Sequence, residues 1–183
     1  MSKKRDLLLS TALELFYRHG INSIGINEVI KVSGVAKKTL YSHFNSKEEL
    51  VLKALEKRHL TFMQWLETKL ESTANNKELI DALFRSLEGW FDGEEPELGD
   101  FNGCFFINTS AEFHDAQSEI STYCRFHKAQ VRQLIQSKLG GNSEDLLNAI
   151  CLLKEGAITT AYMTGASSEV IVNSVKILRR LEC

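Results

Sequence analysis

The apolar residues of this chain recur every three or four positions along most of its length, which is the pattern of amphipathic helices. Between residues 6 and 19, for example, Leu8, Ala12 and Phe16 share one helical face, and Gly20 follows as a helix stop. The same spacing predicts further helices over residues 27–33, 37–44, 46–70, 78–91, 104–114, 118–139, 143–164 and 167–182. We therefore expect an all-α fold of about nine helices.

The second and third predicted helices are short and follow each other closely. Gly25 stands at the start of the second helix and Gly34 ends it, so only a tight turn precedes Lys37. Two short helices joined in this way form a helix-turn-helix unit. The predicted core of this unit comprises Phe16, Val29, Val35, Leu40 and Phe44.

The third predicted helix carries small polar, aromatic and cationic side chains that are poorly suited to burial. They are suited to lie against DNA, because cations attract phosphates and polar side chains in a groove read base edges. The alternative interpretation is a solvated lysine face with one half-buried aromatic ring. The outward-facing residues are Lys37, Lys38, Thr39, Tyr41 and His43.

Residues 6–53 resemble the DNA-binding domain of TetR-type transcriptional regulators. The similarity rests on F-x-x-x-G at residues 16–20 and on GINEVIKVSGVAKKTLYSHFNSKEEL at residues 25–50. The T-L-Y-x-H-F-x-S-K segment at residues 39–47 is the most specific part of this pattern. The resemblance implies that the third helix enters the major groove of DNA.

The same resemblance implies a role for each matching residue. Thr39 and the two lysines before it would meet bases and phosphates, and Tyr41 would contact a phosphate or a thymine methyl. His43 and Lys47 would bind phosphates, Lys47 with help from a helix N-terminus. The implied DNA contacts are Gly25, Asn27, Lys37, Lys38, Thr39, Tyr41, His43 and Lys47.

The resemblance also implies two domains, a helix-turn-helix domain at residues 1–47 and a larger ligand-binding and dimerisation domain at residues 48–183. The implied partners are double-stranded DNA, a second copy of the chain and a small-molecule inducer of unknown identity. Many members carry Thr near the start of the second helix, where this chain has Ile24–Gly25. In those members the threonine hydroxyl would contact a phosphate. In this chain a backbone N–H at the same helix start would make that contact instead.

Charge is distributed unevenly over the chain, although its net charge is only −2. Residues 1–60 hold 11 Lys and Arg against 6 Asp and Glu, a net of +5. Residues 61–183 hold 11 against 18, a net of −7. A basic N-terminal part suits contact with nucleic acid.

Several other classes of protein are disfavoured. The opening MSKKRD is followed by too few apolar residues for an export signal, and no apolar run reaches membrane-spanning length. Cys104, Cys124, Cys151 and Cys183 form no C-x-x-C pair, which is typical of reduced cytoplasmic thiols. Since motifs of phosphate loops, serine hydrolases and zinc proteases are missing too, we expect a cytoplasmic non-enzyme without cofactor or metal.

The last two predicted helices have apolar faces that need a partner, and small residues on them would let helix axes approach closely. One interpretation is an intramolecular hairpin core, and the other is a four-helix dimer interface with two helices per subunit. One recognition helix covers only a half-site, which favours the dimer. The candidate interface residues are Ala149, Leu153, Gly156, Ala157, Val170, Ser174, Ile177 and Leu178.

The segment DFNGCFFINTSAEFHD at residues 100–115 resembles G-C-x-x-x-N-x-x-x-E, found where the ligand-binding domain begins in one subgroup of these regulators. Asn108 and Glu112 would be costly to bury without partners. They either satisfy backbone groups or anchor a ligand in an apolar pocket. The candidate ligand contacts are Trp65, Phe84, Trp90, Cys104, Phe105, Asn108, Glu112, Phe126 and Tyr162.

Together these features predict a homodimeric, sequence-specific DNA-binding regulator, a repressor that a small molecule releases from DNA. In one alternative, the same fold senses oxidants or electrophiles through Cys104, which would stand at a helix N-terminus that favours a thiolate. In another, the chain is a helical adaptor that binds a protein partner through its basic end.

Overall fold

The computed structural model describes residues 3–141 and 143–181, and this part of the chain contains nine α-helices and no strand. The predicted all-α class and the approximate number of helices are therefore confirmed. Cys183 lies outside the described residues. The helices are α1 (Lys3–His19), α2 (Ile26–Ser33), α3 (Lys37–Tyr41), α4 (Lys47–Leu70), α5 (Asn76–Phe91), α6 (Phe105–Glu112), α7 (Glu119–Lys138), α8 (Glu144–Thr164) and α9 (Ser167–Leu181).

Helix ends are set by local signals that stand in the sequence. Gly20 and Gly34 have φ values of 82° and 67°, a left-handed conformation that favours glycine and ends α1 and α2. At the start of α4, the N–H of Glu49 donates to Ser46 Oγ at 3.1 Å. The Glu49 carboxylate in turn accepts from the Asn45 N–H at 2.7 Å. Ser46 thus caps α4, while the Glu49 carboxylate satisfies the N–H of the residue before Ser46.

Several helix boundaries differ from the predicted ones; for example, α1 begins at Lys3 instead of residue 6, and α6 ends at Glu112 instead of residue 114. Helix α3 ends at Tyr41 instead of Phe44, because the Ser42 hydroxyl donates back to the Thr39 carbonyl at 2.8 Å and turns the chain. Helix α5 begins at Asn76, ahead of the predicted residue 78. The side chain of Asn75 caps this helix by accepting from the N–H of Glu78 at 2.9 Å.

By compactness the chain divides into two units. The head unit holds the residues up to Leu60 together with Phe105–His127, and the body unit holds Thr61–Cys104 and the residues from Lys128 onward. Helix α6 and the first part of α7 thus group with the N-terminal helices. The predicted domain boundary after Lys47 follows from the family resemblance and not from compactness, and it stays a prediction.

The core of the head unit contains the predicted residues. Phe16, Val29, Val35, Leu40 and Phe44 are all buried, and α1, α2 and α3 contact one another. The buried side chains stabilise the three short helices by removing apolar surface from water, at roughly 25 cal/mol per Å². This packing fixes which residues of α3 face outward.

A pair of buried histidines joins α4 to α7 within the head unit. His59 Nδ1 lies 3.0 Å from His127 Nδ1, and the His127 ring stacks on Phe106 with ring centroids 3.5 Å apart. One imidazole must donate and the other accept, so the bond is lost when both rings are protonated. Burial lowers the pKa of His59.

In the body unit, α5 packs against α8 and α9, which also pack against each other. Trp90 and Phe101 meet edge to face with ring centroids 5.0 Å apart. The indole N–H of Trp65 donates to the Glu95 carboxylate at 2.8 Å, and Lys69 pairs with the same carboxylate at 2.8 Å. This buried carboxylate is therefore both neutralised and hydrogen-bonded, as burial of a charge requires.

The histidine pair predicts that the protein loses stability in mild acid. The unfolded chain takes up a proton at His59 near pH 6.5, above the pKa of the folded protein, so the free energy of unfolding falls as pH falls through that range. Urea unfolding between about pH 7.5 and 5.5 should show a smaller fall for His59→Gln than for wild type. His114→Gln, at an exposed position, serves as the control. Equal falls for wild type and His59→Gln would contradict this account.

Candidate functional site

The outward face of α3 is the centre of the candidate site. Lys37 and Lys38 are exposed, Tyr41 is 47% exposed and Thr39 is half-buried, while Leu40 on the opposite side is fully buried. The cationic and aromatic groups therefore share one solvent-facing surface. This arrangement matches a helix that presents side chains to the major groove.

The start of α2 adds backbone donors to this surface. Gly25 is the N-cap residue of α2 and has no side chain with which to cap it. Gly25 and Asn27 are both exposed. N–H groups at a helix start attract anions, so a phosphate suits this position.

His43 and Lys47 flank the turn between α3 and α4, and both are half-buried. The Lys47 ammonium donates to the carbonyl oxygen of Ile21 at 2.7 Å. An ammonium has three donors, so this bond leaves capacity for a phosphate. The phosphate role of Lys47 stays a prediction, and the bond to Ile21 is a second role that its position in the sequence did not reveal.

Glu112 is bound to the backbone of the head unit. One of its carboxylate oxygens accepts from the Ile21 N–H at 2.8 Å, and the other accepts from the Asn22 N–H at 2.6 Å. Of the two interpretations offered for Glu112, the structure has the one in which it satisfies backbone groups. No local signal predicts a contact between residues 91 positions apart in the chain.

The structure divides the candidate ligand contacts between the two units. Trp65, Phe84, Trp90 and Cys104 are buried in the body unit, where Tyr162 is exposed. The head unit holds Phe105, which is buried, Asn108 and Glu112, which are half-buried, and Phe126, which is 44% exposed. Their joint role in ligand binding stays a prediction.

Cys104 lies beside a cluster of charged residues in the body unit. The Lys128 ammonium is 3.3 Å from Cys104 Sγ and 2.6 Å from the Glu155 carboxylate. Lys154, which is buried, pairs with the same carboxylate. Burial lowers the pKa of Lys128, but Cys104 and Glu155 outweigh it and leave this pKa raised. Lys128 thus stays cationic next to the thiol.

A groove of about 530 Å³ runs along α8 and α9. Among its lining residues are six of the predicted interface residues, Leu153, Gly156, Ala157, Val170, Ser174 and Ile177. Ala149 is half-buried, and Leu178 is fully buried within the chain. Helices α8 and α9 also expose large apolar residues outside the predicted interface, among them Leu152, Met163 and Val172.

The buried face of α3, its cationic outer face and the bare start of α2 define a DNA-binding protein of the helix-turn-helix class. Residues 8–54 match the family model described as bacterial regulatory proteins, tetR family. Residues 8–54 therefore form a DNA-binding domain of the TetR type, and the chain is a DNA-binding transcriptional regulator.

Known proteins resemble the chain over nearly its whole length. The HTH-type transcriptional repressor NemR of Escherichia coli K12 is 24% identical over 172 residues, which cover 92% of this chain and 84% of NemR. The crystal structure of a TetR regulator from Streptomyces avermitilis has a TM-score of 0.79 at 27% identity and covers 97% of this chain and 96% of that one. A TetR-family regulator from Streptomyces coelicolor shares the fold, with a TM-score of 0.85 at 24% identity, over 97% of this chain and 94% of that one.

Within residues 3–141 and 143–181, no helix is long and apolar enough to cross a bilayer.

The site predicts that two kinds of substitution have different effects on DNA binding. Lys47→Ala should weaken binding to all sequences and lower the salt dependence of log K by about one, because one phosphate contact is lost. Lys38→Ala or Thr39→Ala should instead change sequence preference, by about 1–3 kcal/mol at one base position. Fluorescence anisotropy titrations over a range of salt concentrations would separate the two effects.

Lys77→Ala is the matched control, since it removes an exposed lysine of α5 in the body unit. If Lys47→Ala bound DNA as tightly as wild type, the assigned docking of α3 and α4 would be wrong.

Proposed function

We propose that this protein is a homodimeric repressor that binds a near-palindromic operator and leaves it when a small molecule binds. The surface of α3 carries this proposal, because it combines exposed lysines with Tyr41 and Thr39 on a helix anchored by buried Leu40. The similarity over 92% of this chain to a protein named as a repressor, NemR, supports repression.

The α8–α9 surface supports dimerisation. Leu152 is 74% exposed and lines a groove of small and apolar side chains along these helices, and Met163 of α8 is 77% exposed. A second copy of the same two helices would cover this surface across a two-fold axis. A two-fold dimer would place two copies of α3 in successive major grooves, about 34–36 Å apart or slightly more.

Release from DNA requires two states of the dimer. A ligand shifts the equilibrium only if it binds the state that cannot engage DNA better than the state that can. Within the body unit, the aromatic core around Trp65 and Trp90 and the thiol of Cys104 are the candidate contacts for a mainly apolar ligand. A regulator of this type acts where the chromosome is, in the cytoplasm.

The direct test is selection of bound sequences from a random duplex library with the purified full-length protein. We expect enrichment of a two-fold symmetric motif with half-sites about one helical turn apart or slightly more. A non-symmetric motif would contradict the dimer. Absence of any enrichment by a folded protein would contradict the regulator function and favour the adaptor alternative.

A second candidate function is favoured by the contact between Lys128 and Cys104. An ammonium 3.3 Å from a sulfur stabilises negative charge there, and thiolates are the reactive form of cysteine. In this version an electrophile or oxidant that modifies Cys104 releases the protein from DNA.

Alkylation rates test this second candidate. Mass spectrometry after brief iodoacetamide treatment should show Cys104 reacting faster than Cys124, although both are buried. Lys128→Gln should slow the reaction of Cys104 by about tenfold, through loss of the adjacent cation. Unchanged DNA binding after full modification of Cys104 would exclude the sensor role and leave the ligand-released repressor standing.

A further inference from the structure

The turn between α1 and α2 is held by two oppositely charged side chains. The Asn22 N–H donates to the Glu112 carboxylate at 2.6 Å, and the Ile21 carbonyl accepts from the Lys47 ammonium at 2.7 Å. That N–H and that carbonyl belong to the same peptide group, the one that joins Ile21 to Asn22. A cation at its oxygen and an anion at its nitrogen both align with the peptide dipole, so the two bonds strengthen each other.

Glu112 makes further contacts that fix this geometry. Its second carboxylate oxygen accepts from the Ile21 N–H at 2.8 Å, and its own carbonyl accepts from the Asn22 side-chain amide at 3.4 Å. The neighbouring Gly20 has a φ of 82°, and a Cβ there would lie 3.2 Å from a Glu112 oxygen. Ile21 itself is only 1% exposed. The turn is therefore locked by burial and by close approach of a carboxylate.

These contacts connect three elements of the head unit. Glu112 is the last residue of α6, Lys47 is the first residue of α4, and the turn that they share leads into Gly25 at the start of α2. We call the chain of bonds from Glu112 through the Ile21–Asn22 peptide to Lys47 the clasp. A movement of α6 along its axis would move the carboxylate relative to this peptide.

We propose that Glu112 is the positioning residue through which α6 controls the DNA-binding geometry of α2 and α3. The clasp orders the turn before DNA binds, so less conformational entropy is lost when the complex forms. Cys104 and Asn108, two candidate ligand contacts, stand just before α6 and within it. A ligand that displaces α6 would therefore weaken the clasp. This inference rests on the proposed function and adds the route of regulation.

Glu112→Gln tests the clasp with little change in side-chain size. The amide offers one acceptor in place of two, so one backbone N–H loses its partner. Loss of pre-ordering should weaken binding to the selected operator about three- to tenfold, with an unchanged salt slope. Plain electrostatics predicts the opposite, since removal of a negative charge from a DNA-binding unit tightens binding. The direction of change thus separates the two explanations.

Glu14→Gln is the matched control, because it removes the charge of an exposed carboxylate on α1 in the same unit. It should leave affinity unchanged or slightly higher. Hydrogen exchange supplies a readout that needs no DNA: the Ile21 and Asn22 amides should exchange about tenfold faster in Glu112→Gln than in wild type or Glu14→Gln. Urea unfolding of each variant checks that the change is confined to the turn.

Glu112 and Lys47 should also be coupled, since both act on one peptide group. Glu112→Gln should weaken DNA binding less in a Lys47→Ala background than in wild type. Three results would each overturn the clasp. They are unchanged amide exchange at Ile21 and Asn22, additive effects of Glu112→Gln and Lys47→Ala on DNA affinity, and DNA binding by Glu112→Gln as tight as that by Glu14→Gln. If the wild-type protein shows no preference among DNA sequences, the proposed function fails. The hydrogen-exchange experiment needs no DNA and therefore still tests the clasp.

Discussion

The orientation of α3 depends on the burial of Leu40 and Phe44. A helix of five residues has too few internal hydrogen bonds to be stable alone. Leu40 and Phe44 supply the missing stability by packing into the core that α1 and α2 form with Phe16 and Val29. Because these side chains can be buried in only one rotation of the helix, Lys37, Lys38 and Tyr41 must face outward. The DNA-binding surface is thus a consequence of the core.

Lysine side chains have different environments in the two units. In the head unit, lysines of α3 are exposed, where their desolvation cost is small and a phosphate can reach them. In the body unit, buried Lys154 and the partly covered Lys128 share the Glu155 carboxylate, because an isolated buried ammonium would be costly. The cluster then places a cation beside Cys104. Lysine is therefore exposed on the candidate DNA-binding surface of the head unit, and it pairs with a carboxylate in the body unit.

The Ile21–Asn22 peptide shows how a helix outside the helix-turn-helix segment can act on it. Residues 8–54 carry the family pattern, yet the carboxylate that holds the first turn of this segment comes from Glu112. A backbone group bonded by two charged side chains has few alternative positions. Regulation through such a group requires only a small displacement, because hydrogen bonds weaken steeply with distance and angle.

Much of the fold could be read from local pattern. Apolar spacing set the helices, and Gly20 and Gly34 ended two of them, because a helix period and a left-handed glycine act within a few residues. The motif from Thr39 to Lys47 identified the DNA-binding head for a similar reason, since its core and surface positions lie close together in the end of α3 and the turn to α4. Errors such as the end of α3 came from Ser42, whose hydroxyl competes for a backbone carbonyl.

Contacts between distant segments were decided by tertiary structure alone. The sequence specified which residues are apolar, cationic or able to cap a helix, and those properties belong to each residue and its near neighbours. It did not specify that Glu112 meets Ile21, that His59 meets His127 or that Lys128 meets Cys104. Such pairs form because the packing of whole helices brings them together. The free energy of that packing is spread over many buried side chains, and the type of each side chain does not indicate which distant residue it contacts.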